Sequence, residues 1–198
     1  MKIGILALQG DFHEHQVCFN RLNVDSQLVK SVSQLNQCDA LVIPGGESTT
    51  ISKLLKISRL DNEIISKVKS GMPLWGTCAG LILISKKIVE GEPFPLELLN
   101  VETSRNFYGR QIDSFVEKIN FSEDKNEFEA IFIRAPKIMG IGKNVDILAT
   151  TNDNSPVAVQ YKNILGTTFH PELTDDLRIH KHFVEMGNNI IKAKFSLI

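Results

Sequence analysis

The amino-acid sequence predicts an α/β fold: a three-layer, mostly parallel sheet flanked by helices, with antiparallel strands added in the second half. Three observations carry this reading. Short apolar runs without alternation, such as "KIGILAL" (2–8) and "DALVIPGG" (39–46), are the pattern of strands buried on both faces. Amphipathic stretches separate these runs through the first half, as crossover helices do. Beyond about residue 90 short strand-like runs follow one another with turn signals between them.

The elements follow in order. "KIGILAL" is the first strand. "DFHEHQVCFNRL" (11–22) is a helix, with Phe12, His15, Phe19 and Leu22 at helical spacing on one side. "SQLVK" (26–30) is a strand, "SVSQLNQC" (31–38) a short helix or loop, and "DALVIPGG" a strand entering a glycine turn. "STTISKLLKI" (48–57) and "LDNEIISKVKSG" (60–71) are helices, the second ending at Gly71 with Pro73 just beyond. "PLWGTC" (73–78) is a strand and "AGLILISKKI" (79–88) a helix. Pro93 and Pro95 punctuate a loop, and "SEDKNEFE" (122–129) reads as a surface turn. "IDSFVEKIN", "FEAIFIRAP", "VDILATT", "PVAVQYKN" and "ILGTTFHP" are strands, and "DDLRIHKHFVEMGNNIIKAKF" is a closing helix.

With 198 residues, no internal repeat and no linker, the chain reads as one domain, 1–198. Its net charge of −1 offers no field to hold nucleic acid or an anionic membrane. The apolar N-terminal run is too short for a membrane span and lacks a signal cleavage pattern. Cys18, Cys38 and Cys78 form no Cys-x-x-Cys pair, which points away from a metal site and toward a reducing, cytoplasmic setting.

Three motifs fall at the carboxyl ends of expected strands, where α/β sheets bind ligands. In "MPLWGTCAGLILIS", Cys78 sits between Gly76 and Gly80 at a strand-to-helix junction. That spacing has the form of a nucleophile elbow, and the start of the next helix favours a thiolate. The plainer alternative is an inert cysteine beside a turn. In "FHPEL", His170 and Glu172 stand two apart, so an extended chain presents imidazole and carboxylate on one face. They suit a proton carrier, first base and then acid, and the group that orients it; a capping turn is the alternative. The other four histidines, His13, His15, His180 and His182, lie in expected helices and read as partly exposed. In "PGGEST" (44–49), Gly45 and Gly46 let backbone amides turn toward a ligand, as an oxyanion hole requires, with Ser48 and Thr49 available as helix caps; a plain capped glycine turn, or a phosphate loop without the lysine-serine ending of a Walker motif, is the alternative. Together the three motifs supply the parts of one acyl-transfer site.

"PGGEST", "GTCAGL" and "FHPEL" resemble the class I, triad-type glutamine amidotransferases, whose domain is flavodoxin-like. "GILALQGDF", "RNFYGRQIDSF" (105–115) and "FIRAP" (132–136) are similar to the glutaminase subunits of pyridoxal 5′-phosphate synthases. The resemblance spans nearly the whole chain. It implies that Cys78 attacks the side-chain amide of L-glutamine with His170 and Glu172 completing a triad. Gly46 and Ala79 match the oxyanion-hole amides, and Gly46, Glu47, Ser48, Arg105, Ile133 and Arg134 match glutamine-contacting positions. An arginine fork suits the substrate carboxylate. The ammonia released would pass to a synthase subunit in a large hetero-oligomer. Gln9 would join the oxyanion region once that partner docks. No cofactor is implied. Other readings are a glutaminase feeding histidine or purine synthesis, a flavodoxin-like cysteine hydrolase, and a non-catalytic binding subunit.

Overall fold

A computed structural model describes residues 1–105, 114–122 and 126–195. The expected pocket wall "RNFYGRQ" therefore lies outside the described residues beyond Arg105, as does the middle of the expected turn at 122–129.

The first half alternates as expected: β1 (Ile3–Leu6), α1 (Phe12–Arg21), β2 (Ser26–Val29), α2 (Val32–Leu35), β3 (Ala40–Ile43), α3 (Ser48–Ser58), α4 (Leu60–Lys69), β4 (Leu74–Thr77) and α5 (Ala79–Ile84). Then follow β5 (Ser85–Ile88), β6 (Leu99–Ser104), β7 (Ser114–Ile119), β8 (Phe128–Ile133), β9 (Lys137–Ile141), β10 (Asp146–Thr150), β11 (Pro156–Tyr161) and β12 (Ile164–Thr167). A 3₁₀ turn, Pro171–Leu173, and α6 (Arg178–Phe195) close the chain.

A seven-stranded sheet runs β10-β11-β12-β4-β3-β1-β2. Neighbours from β12 to β2 are parallel, while β10 and β11 pair antiparallel. Strict alternation divides the core between its two faces. Ile3, Ile5, Ala40, Val42 and Trp75 pack with Phe19 of α1, Ile179 and Phe183 of α6, and Phe128 and Phe132 of β8. Leu6, Leu41, Ile43 and Leu74 pack on the opposite side with α3, α4 and α5. The strands read as uniformly apolar because both of these faces are covered.

The second half departs from expectation in two ways. Its strands do not all join the main sheet. Only β10, β11 and β12 do; β5-β6-β9 forms a three-stranded sheet and β7-β8 a separate pair. The helix expected over 79–88 also stops at Ile84, and the chain turns into β5. The Ser85 hydroxyl donates to the Ile82 carbonyl at 2.7 Å and lies 3.0 Å from Thr103 Oγ1, while β5 pairs with β6. A strand partner fourteen or more residues ahead overrides a local helical pattern.

Three neighbouring strands end level. Ile43 pairs with Gly76, and Thr77 pairs with Thr167. Close packing holds α5 on this edge: a Cβ on Gly80 would strike the Ile43 carbonyl oxygen. Gly80→Ala should force β3 and α5 apart at a cost of about 2 kcal/mol. Scanning calorimetry should then show Tm lowered by roughly 4–8 °C.

Candidate active site

Cys78 is the residue after β4 and caps α5 with φ 47° and ψ −103°. A non-glycine residue in that region is strained, and such strain persists only where the surroundings enforce it. Here the Cys78 amide donates to the Thr167 carbonyl at 2.8 Å, tying the corner to the end of β12. The sulfur lies 3.8 Å from the Ile133 carbonyl oxygen at the end of β8. Cys78 is 6% exposed.

β12 leads through Thr168 and Phe169 to His170. The His170 amide donates to the Ile131 carbonyl at 2.8 Å, which fixes the loop against β8. His170 Nδ1 then stands 2.7 Å from Glu172 Oε1. Burial opposes a charge on the ring, but the Cys78 and Glu172 contacts outweigh it and raise its pKa from 6.5 to about 11. The resting ring therefore holds its proton. Glu172 is pushed upward by burial, against the pull of His170.

The third motif closes over this pair. A Cβ on Gly45 would collide with His170 Cε1, so only glycine lets this loop approach the ring. Gly46 has φ 149°, and Gln9 Oε1 accepts the next amide, Glu47 N–H, at 2.7 Å. The cap of α3 is Glu47, a correction to the Ser48/Thr49 expectation. Its carboxylate accepts from Thr49 N at 3.1 Å and from Thr50 N and Oγ1 at 2.6 Å. Desolvation pushes the Glu47 carboxyl upward, but the hydrogen bonds from Thr50 and Thr49 together outweigh it and lower its pKa to about 2. Ser48 is buried as the first residue of α3. Ala79 is buried as the first residue of α5.

Arg105 crosses from the end of β6 to this loop. Its Nη2 lies 3.4 Å from Glu47 Oε1 and 3.1 Å from Thr49 Oγ1, and Nη1 donates to the Glu92 carbonyl at 2.9 Å. Ile133, 41% exposed, meets Cys78 through its carbonyl; Arg134 follows it with φ 43° and is also exposed.

A model of the SNO glutamine amidotransferase family matches residues 5–189. The chain belongs to that family. It is 47% identical to the pyridoxal 5′-phosphate synthase subunit PdxT of Thermosipho africanus, over 94% of this chain and 98% of the relative. It is 48% identical to the same subunit of Thermotoga petrophila, over 94% and 99%. A crystal structure of a glutamine amidotransferase superposes with a TM-score of 0.89 at 40% identity, covering 94% and 98% of the two chains. The structure of PurLQS from Thermotoga maritima (TM-score 0.67, 12% identity, covering 98% of each chain) shares the fold.

Four polar residues near the family motifs escaped the sequence reading. Asp11 Oδ2 lies 3.5 Å from His170 Nδ1, and its amide donates to the Gly45 carbonyl at 3.2 Å. His15, Thr77 and His180 are each fully buried. For His15 and His180 this corrects the expectation of partly exposed helical histidines; His13 is exposed and His182 half-buried. A helical histidine carries little local mark of burial; for His15 the one signal is its spacing with Phe12 and Phe19.

The His170 proton also has a stability signature. Its folded pKa lies above the ordinary 6.5, so its contribution is complete below about 6.5 and fades as pH rises toward 11. Nitrogen NMR of labelled histidine should show one ring protonated well above pH 7. Cys78→Ser and Glu172→Gln should each bring that titration down toward the ordinary value.

Proposed function

We propose that this chain is the glutaminase subunit of a pyridoxal 5′-phosphate synthase, hydrolysing L-glutamine to L-glutamate and ammonia for its synthase partner. The observation that carries the reading is the Glu172–His170 pair, 2.7 Å apart, at the same strand-end edge as a cysteine held on a strained corner. Its family and the names of its relatives support the pathway.

The steps need only the groups at hand. The Cys78 sulfur attacks the amide carbon of the substrate side chain. The backbone amides of Gly46 and Ala79 receive the negative charge on the oxygen, an interaction worth about 3 kcal/mol per donor in comparable sites. His170 gives its proton to the departing nitrogen, and ammonia leaves as the C–N bond breaks. A γ-glutamyl thioester remains on Cys78. Water attacks it, His170 takes the water's proton, and glutamate leaves as the sulfur is regained. Glu172 accepts from His170 Nδ1 throughout and directs the other ring nitrogen at the chemistry.

Glu47 and Arg105 place an anion beside a cation next to this corner, 3.4 Å apart. That pairing matches the α-ammonium and α-carboxylate of glutamine, with the Ile133–Arg134 main chain along the other side. Gln9, bonded to the Glu47 amide, reports docking of the synthase to the oxyanion loop. We assign the reaction to the cytoplasm, which suits three free thiols; no helix among the described residues is long and apolar enough to cross a membrane. The single domain, 1–198, docks as a unit in a larger hetero-oligomer.

The test is ammonia release from glutamine, alone and with the synthase subunit. Release should rise with the partner and fall at least about a thousandfold in Cys78→Ala. Release without any response to the partner would move the glutaminase to another pathway; none in either condition would sink the reading. Arg105→Gln should raise KM about tenfold or more, the loss of a charged hydrogen bond, with a smaller change in kcat.

A further inference from the structure

Behind Glu172 lies a polar chain that the hydrolytic steps leave unused. His15 on α1 and His180 on α6 are both fully buried, with Nδ1 of His15 3.0 Å from Nε2 of His180. His15 Nε2 faces the active site. It lies 3.4 Å from Glu172 Oε2 and 3.3 Å from Oγ1 of Thr77, the residue before Cys78. The 3.4 Å approach is not a hydrogen bond as it stands, and Glu172 Oε2 is buried with no hydrogen-bond partner among the described residues, His15 Nε2 being the basic nitrogen set against it. The same helix touches Glu172 a second time, Cys18 Sγ lying 3.8 Å from its carbonyl oxygen. Trp75 and Phe19 wall in the pair, with ring centroids 4.9 and 5.1 Å from His180.

Both rings are neutral. Burial drives His15 well below its ordinary range, helped by His180 and His170; burial, helped by Arg21, takes His180 down to about 3. A neutral pair sharing one hydrogen bond has two proton arrangements. In the first, His15 donates from Nδ1 to His180. Its bare Nε2 lone pair then faces the Glu172 carboxylate, and the proton on His180 Nδ1 has no acceptor, because that atom is buried without a partner. In the second, His180 donates from Nε2 to His15 Nδ1. His15 then directs Nε2–H at Glu172 Oε2 and Thr77, and only a lone pair is left unmet on His180. A buried donor without an acceptor and a lone pair against an anion are both costly, so the second arrangement holds.

We propose that His15 is a positioning residue for glutamine hydrolysis: its Nε2–H holds the outer oxygen of Glu172 while the inner oxygen orients His170, and His180 sets the His15 tautomer. This rests on the triad reading above. It extends the line of orienting groups to His180–His15–Glu172–His170–Cys78, with members drawn from α6, α1, the 3₁₀ turn and the β4–α5 corner. The titratable groups facing Glu172 are His170, with Cys78 beyond it, then Asp11, His15 and Cys18 from the α1 side. His180 and Arg21 face the far end. Loss of the His15 donor removes support for the Glu172 anion, so the acid limb of activity moves to higher pH.

The first test needs no variant. Nitrogen NMR of labelled histidine should find His15 and His180 neutral near pH 7, each protonated at Nε2; a His15 proton on Nδ1 overturns the proposal. The second uses the complex with the synthase subunit. His15→Phe fills the space without a donor, and should lower kcat about tenfold to a hundredfold with KM little changed. It should also raise the acid limb by about one pH unit. His15→Gln, which replaces Nε2–H with an amide N–H, should recover most of that loss. Wild-type kcat and pH profile in a folded His15→Phe, or no recovery in a folded His15→Gln, would overturn it. Cys78→Ala separates the two levels: its inactivity beside unaffected His15 variants fails only the positioning role, whereas its activity fails the triad itself.

Discussion

Three parallel strands ending level with one another are the constraint on which the rest depends. β3, β4 and β12 finish side by side, and each delivers one motif to the same edge. β3 runs into the glycine loop, β4 into the Cys78 corner, and β12 into the His170 turn. The backbone bonds between these ends are short, with Cys78 N–H on the Thr167 carbonyl at 2.8 Å. Apolar packing on both faces of the sheet keeps the ends in register. Burying one isoleucine or valine is worth roughly 1.5–3 kcal/mol, and every residue of β3 is buried. That surplus can hold a cysteine at positive φ and a carboxylate out of water.

The carboxyl edge was legible from local signals. Glycines around Cys78, the Gly45-Gly46 pair and the His-Pro-Glu turn each mark a backbone that must bend sharply at a strand end. The first-half elements followed from periodicity, because buried parallel strands and amphipathic helices differ strongly in pattern. β5 and β6 were not legible. Ser85–Ile88 looks helical by itself, and only pairing with Leu99–Ser104 makes it a strand. β9 was missed for the same reason. Its partner is Val101–Ser104, about 35 residues away, and its half-exposed sequence carries little alternation.

Within the site, residues that act through the backbone or through a neighbour were the hardest to read. Ile133 meets the Cys78 sulfur through its carbonyl, which any residue supplies. Glu47 proves to be a helix cap, a role its position before "STT" permits but does not single out. His15 and His180 come from helices 165 residues apart and meet only across the folded core. One segment, Gln9 to Cys18, then links the oxyanion loop, His170 and Glu172. Gln9 bonds Glu47 N–H, Asp11 meets Gly45 and His170, and His15 and Cys18 meet Glu172.

The most direct measurement is to mix the protein and its synthase partner with glutamine, quench in acid within one turnover, and map the adduct by peptide mass spectrometry. The account predicts a γ-glutamyl group on the peptide carrying Cys78, absent from those carrying Cys18 and Cys38. An adduct on another residue, or ammonia released with Cys78 never acylated, would contradict it.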